Sequence, residues 1–157
     1  MVRLKRRAAA LSLLILILCT AAANAQERTK INDRVTAKNL LGRHMLSLQW
    51  ISWDKFGSAT VTNKLGIYGI KGEQKGPGGD YLKIEGMIVS IDPKEFKFEG
   101  TITTRVSHIN SGQPCVRQGD FTFRITGTRK YWRMQEMDNP CDEATDYVDI
   151  YLRKPAR

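Results

Sequence analysis

Histidine is nearly missing from this chain: His44 and His108 are the only two. Neither stands at metal-ligand spacing from a cysteine, which argues against a Cys/His zinc site. No H-E-x-x-H, P-loop or EF-hand spacing occurs, and no strand-turn-helix elbow presents a serine nucleophile. The run Gly76-Pro77-Gly78-Gly79 opens no helix, so it reads as a loop and not as a phosphate cradle. The chain therefore reads as a non-enzyme with no cofactor and no metal. Lysine and arginine form no run of nucleic-acid type beyond the N-terminal leader, which argues against that partner. After residue 22 no apolar stretch is long enough to span a bilayer.

Cysteine is scarce as well, with three copies, Cys19, Cys115 and Cys141. What stands at the N-terminus decides their meaning. Arg3, Lys5, Arg6 and Arg7 precede an apolar run from Ala8 to Ala22, and Ala23-Asn24-Ala25 is an A-x-A site. This is the pattern of a secretory signal peptide over residues 1–25, cleaved near Ala25. Four of the 25 basic residues and none of the 16 acidic ones lie there. The remainder carries 21 basic against 16 acidic residues, a net +5, which keeps a small domain soluble. Export to the periplasm or beyond leaves Cys115 and Cys141 in an oxidising compartment, where an even pair reads as a disulfide. Cys19 follows Leu16-Ile17-Leu18, which resembles a lipoprotein box. Leu18 stands where a small residue belongs, so membrane association would follow only from lipidation at Cys19.

Residues 26–44 form an N-terminal segment with a short helix over Arg34 to Leu41, capped by Asn32 or Asp33 and ended by Gly42. Val35, Leu40 and Leu41 supply its apolar stripe. From Met45 the pattern has period two, with Leu46, Leu48 and Trp50 on one face. Strands follow at Ser58–Thr62, Ile67–Glu73, Tyr81–Ile91 and Glu95–Val106, the last two joined by a tight turn at Asp92-Pro93. Phe96, Phe98, Gly100, Ile102, Thr104 and Val106 alternate with polar residues, as in a half-buried antiparallel strand. Phe121–Ile125, Tyr131–Met137 and Tyr147–Leu152 complete the set; 45–153 is the β domain and 154–157 a tail. No helix separates the strands, so parallel crossovers are excluded. The fold class is all-β, an antiparallel meander of about eight strands. That number closes a small barrel and removes the sheet edges; a two-sheet sandwich is the alternative. Gly86, Gly100 and Gly127 on inward faces fit tight coiling.

In architecture, from Leu46 to Leu152, the chain resembles the lipocalin and avidin kind of up-and-down barrel. Where lipocalins carry Gly-x-Trp, this chain has Leu48-Gln49-Trp50; Arg133 or Arg153 would match the late basic residue that packs on that tryptophan. The strings Leu48-Gln49-Trp50-Ile51-Ser52-Trp53-Asp54 and Arg129-Lys130-Tyr131-Trp132-Arg133 are also similar to uncharacterised secreted bacterial proteins. The barrel resemblance implies a binding protein, although fold alone decides no function.

Two sites are expected. In the first, Trp50, Phe98, His108 and Phe123 line the barrel interior and hold a small apolar or amphipathic ligand. His108 reads as a hydrogen-bonded rim histidine and not as a general base. The second is an outer patch for a protein partner or inhibitor target, made by Arg129, Lys130, Tyr131, Trp132 and Arg133. The carboxylates Glu136, Asp138, Asp142, Glu143, Asp146 and Asp149 read as a solvated acidic face. The protein is expected to be a monomer, with Cys115 and Cys141 structural.

Overall fold

A computed structural model describes residues 27–152. The expected signal peptide with its cleavage site and Cys19, and the tail from Arg153 on, lie outside the described residues. Lys30–Ile31 (β1) and Arg34–Leu40 (α1) come first, then Gly42–Leu48 (β2), Gly57–Lys64 (β3), Ile67–Lys75 (β4) and Tyr81–Asp92 (β5). Glu95–Arg105 (β6), Cys115–Arg124 (β7), Tyr131–Met134 (β8) and Val148–Tyr151 (β9) follow. From β2 to β9 each strand pairs antiparallel with the next, and β9 returns to β2 through Leu46↔Ile150. The sheet is thus a closed eight-stranded barrel and not a sandwich. The two-residue β1, invisible to pattern reading, lies parallel to β5 at Ser90 and Ile91, beyond the last β4 partner, Ile88. Thr29 anchors this segment: its hydroxyl donates to the Ile88 carbonyl at 2.6 Å and accepts from the Tyr68 N–H at 2.9 Å.

Alternation along the strands fills the interior. Leu46, Leu48, Leu82, Ile84, Ile88, Phe96, Phe98, Ile102, Phe123, Trp132 and Met134 are all essentially inaccessible. Phe96 stacks on Phe123 at 5.0 Å between ring centroids, and Phe98 meets Phe123 edge-on at 6.2 Å. Glycine makes the room. Gly86 pairs with Gly100, and Gly100 with Gly119, in a row across three strands. A Cβ on Gly100 would lie 2.5 Å from the Phe98 ring and 2.7 Å from the Gly86 Cα. The row leaves room for the Phe98 ring against the backbone of the sheet. Gly127, expected with these two, instead lies in the turn before β8 at φ 58°.

Helix α1 covers one end of the barrel. Asp33 caps it, its carboxylate accepting from the Thr36 N–H at 2.6 Å, and hydrogen bonding to the Thr36 side chain first, then to this N–H, lowers the Asp33 pKa. Gly42, at φ 99°, turns the chain from helix to strand. The buried face is Thr36, Ala37 and Leu40; Val35, expected in the apolar stripe, is 68% exposed. The pattern placed His44 ahead of the first strand, but it lies within β2 and is buried. Its Nε2 lies 2.7 Å from the Leu40 carbonyl and its Nδ1 2.9 Å from that of Tyr151, joining helix, first barrel strand and last.

The other end carries the Cys115–Cys141 disulfide, which links the start of β7 to the loop after β8. The glycine-rich loop there is an ordered turn. Pro77–Gly79 form a 3-10 turn, and Gly76 donates to the Asp80 carbonyl at 2.8 Å.

Candidate functional site

The four residues expected to share a barrel cavity fall into two separate pairs. Phe98 and Phe123 are packed against each other with no accessible surface. Trp50 does not continue the inward face of Leu46 and Leu48. β2 stops at Leu48, the Ile51 N–H turns back to the Leu48 carbonyl at 3.0 Å, and Ile51 is buried in its place. Trp50 is left 37% exposed at the disulfide end, edge-on to the exposed His108 at 6.1 Å. His108 itself stands beyond the end of β6, in a turn. Strand parity does not reach these positions, because β2 ends at Leu48 and β6 at Arg105.

The expected outer patch divides in two, because successive residues of β8 point to opposite sides of the sheet. Tyr131 and Arg133 face outward. Trp132 faces in, 1% exposed, edge-on to Phe96 and His44, so it has no place on an outer surface. On the outside, Arg133 makes two parallel bonds to Asp149, 2.8 and 2.7 Å long. The hydrogen bond to Asp149 is the main cause that raises the Arg133 pKa. The guanidinium lies 4.0 Å from the Tyr147 ring centroid and 5.2 Å from that of Tyr131. Tyr151 packs on Tyr131 and on Phe56. This is an ion pair walled by aromatic rings, a composition common at interface centres.

The inner half of the patch leads to a groove. Helix α1, the β5–β6 turn and the 125–130 turn enclose a concavity of about 430 Å³ at the helix end of the barrel. Val35, Pro93, Ile125 and Leu152 give it apolar walls, Lys94, Arg129 and Lys130 put three cations on it, and Trp132 forms part of its lining. Its framework is ordered. Lys94 stands at φ 60°, its N–H 3.4 Å from the Thr36 hydroxyl and its carbonyl accepting from the Ile125 N–H at 2.8 Å. Volume alone does not single it out, since another concavity of about 410 Å³ lies along the helix by Ile31 and Tyr68. The indole does. The Nε1 of Trp132 is buried and has no hydrogen-bond acceptor in the protein, and leaving such a donor unpaired costs about 1–3 kcal/mol. Arg129, Lys130 and Trp132, expected on one outer patch, all line this groove at the helix end.

The acidic loop at the opposite end is only partly solvated. Asp146 and Asp149, expected on a wet face, are buried. Asp146 accepts from the Asn139 amide at 3.1 Å, and the Trp50 side chain also acts on its carboxylate. Burial raises its pKa above 3.8, against the pull of Asn139, Arg117 and Trp50. Arg117 points into the same region, and burial lowers its own pKa while Asp146, Glu136 and Asp138 oppose the shift. A carboxyl with a raised folded-state pKa keeps its proton longer than the unfolded chain does, so its contribution is present at low pH and is lost as pH rises through the folded value. The stability difference between the native protein and Asp146→Asn should accordingly fall as pH rises from about 3.8 upward. Urea melts of both across that range measure it, and a flat difference would contradict the assignment.

Nothing in this geometry points to catalysis. Both ring nitrogens of His44 face backbone carbonyls, and among the described residues no group of three or more His, Cys, Asp and Glu could hold a metal ion.

The comparisons with known proteins give a family for the chain. The family model described as the PM1083 family matches residues 28–152. The protein described as "Uncharacterized protein PM1083", from Pasteurella multocida (strain Pm70), is 43% identical over 137 residues, covering 86% of this chain and 89% of the relative. No solved structure matches. The match takes in the helix, the closed barrel and the groove between them; the chain belongs to the PM1083 family.

Proposed function

We propose that this is an extracytoplasmic, non-catalytic binding protein that takes a small amphipathic anion in the groove beside α1. The observation that carries the reading is the set of three cations, beside the single helix-capping carboxylate of Asp33, on a groove lined in part by Trp132, whose buried indole N–H has no acceptor in the protein. An acceptor such as a carboxylate would complete the missing bond and meet Lys94, Arg129 and Lys130, while an apolar body would lie on Val35, Ile125 and Leu152. The groove volume falls within the range of small-molecule sites. The disulfide suits an oxidising compartment. Inside the barrel, Phe98 and Phe123 pack on each other with no accessible surface.

The test is titration with a dansylated undecanoate and with the matching alcohol. The acid should bind more tightly than the alcohol. Trp132→Phe should lower its affinity roughly tenfold, the worth of one charge-assisted hydrogen bond. Arg129→Glu with Lys130→Glu, both exposed, should lower it without changing the melting temperature. Equal binding by the native protein and both variants would sink the proposal.

The outer Arg133–Asp149 face supports a second reading, a polypeptide docked against Tyr131 and Tyr151. A partner cross-linked at Tyr131 should then be lost in Tyr151→Ala and kept in Trp132→Phe.

A further inference from the structure

One strand of the barrel is paired along only part of its length. β7 and β6 share an unbroken register from Glu95↔Arg124 to Thr104↔Cys115. On its other side β7 meets β8 only at Phe123↔Met134 and Arg124↔Arg133. One further bond, from the Gln135 N–H to the Thr122 carbonyl at 2.8 Å, closes that ladder. The chain then leaves the sheet. The Thr122 N–H takes the Glu136 carboxylate at 2.8 Å in place of a strand carbonyl. The loop after β8 bonds to itself, through Asn139 N–H to the Ala144 carbonyl and Asp146 N–H to the Met137 carbonyl.

Backbone groups alternate in direction along a strand. Thr122 turns its N–H and carbonyl away from β6, so Asp120, Gln118 and Val116 do the same. Among the described residues no backbone bond outside the β6 ladder reaches these three. All three are exposed, Val116 at 62%. The register with β6 continues through Gly119 despite its φ of 143°, so the edge is continuous. An edge of this kind is a template for an added strand. Five residues of strand span about 17 Å, enough for a segment of similar length.

We propose that the β7 edge from Val116 to Asp120 binds an extended, basic segment of another polypeptide by strand addition. Charge selects the occupant. Asp120 lies on the edge, and Asp138 and Glu143 lie exposed on the loop that leaves it, while Arg117 of the same stretch is half-buried and donates to the Glu136 carbonyl; among the described residues none of the three carboxylates is in a salt bridge. A strand with Lys or Arg at alternate positions would set its cations against these carboxylates. A second copy of this chain, edge to edge, would instead bring two acidic loops together. The site lies at the disulfide end, away from the groove beside α1, and does not rest on the function proposed for that groove.

The probe is a capped peptide of alternating lysine and valine, with a glutamate-valine peptide for comparison. Titrated into the protein, the lysine peptide should shift and protect from exchange the amides of Val116, Gln118 and Asp120, and the glutamate peptide should not. Gln118→Pro removes one outward N–H and leaves the β6 ladder intact, because that N–H faces away from β6. It should weaken binding roughly tenfold. N-methylation of the lysine peptide at alternate residues should do the same with the protein unchanged, so the test survives if Gln118→Pro fails to fold. Equal binding of the two peptides, protection mapping elsewhere, or full affinity of the N-methylated peptide would overturn the proposal. So would dimerisation of the free protein that Gln118→Pro abolishes, since the edge would then serve a second copy.

Discussion

Replacing Arg133 with alanine is expected to destabilise the fold by about 3–5 kcal/mol, because it strands a buried carboxylate. The Asp149 side chain is 3% exposed and that of Arg133 12%. Each oxygen of Asp149 takes one bond from the guanidinium, and no other residue replaces them. The rings of Tyr147 and Tyr131 would also lose the cation that lies against them. The size of the effect belongs to the orphaned charge and not to the worth of the pair. Arg133→Met combined with Asp149→Leu should therefore recover most of the loss. Urea denaturation of both variants measures this, and a single variant within about 1 kcal/mol of the native protein would mean that Asp149 is solvated.

Loss of the disulfide is the second large effect. Cys115→Ser with Cys141→Ser should cost about 2–5 kcal/mol. The bridge closes a loop with a sequence separation of 26, and chain entropy for a loop of that size is worth roughly 3–3.5 kcal/mol. Its position adds a local consequence. The loop from Gln135 to Tyr147 has little sheet to hold it and relies on side chains. Gln49 donates to the Thr145 carbonyl at 2.6 Å and accepts from the Tyr147 N–H at 2.7 Å. Hydrogen exchange in the serine variant should rise first in this loop and along the adjoining half of β7, and last around Phe96 and Phe123. The same melting temperature with and without reductant would contradict the role assigned to the bridge.

Both cysteines were legible because compartment and count specify a pairing without any geometry. The barrel was legible for a related reason. In β6 the alternation runs unbroken from Phe96 to Thr104, and one face of a closed sheet must be apolar throughout. Asp92-Pro93 marked the β5–β6 turn through proline's fixed φ. The site residues were less readable. Alternation at Tyr131, Trp132 and Arg133 says that neighbours part company but not which of them goes inside; the closure of β9 on β2 decides that. Trp50 carried the right parity, yet a strand ends where its partners end, and β3 begins only at Gly57, opposite Leu46. His44 was passed over because a polar residue at an inward position looks like an interruption until its two acceptors are in view, one on the helix and one on the last strand. No local signal marks the β7 edge, since it results from β8 being only four residues long.

The contact between His44 and the Tyr151 carbonyl spans 107 residues, and it sits beside the seam where β2 meets β9. The first strand of the barrel thus waits for the last. A chain growing from its N-terminus can form the β3–β4 and β5–β6 hairpins early, but it cannot close the cylinder until Val148–Tyr151 is available. Folds dominated by such distant pairings form in milliseconds to seconds, not microseconds. During that interval β2 is an unpaired edge that carries Leu46 and Leu48. Such an opened meander, with an unpaired strand edge, is the species most exposed to aggregation. The order of events, hairpins first and seam last, makes the C-terminal strand the step that commits the molecule to its final shape.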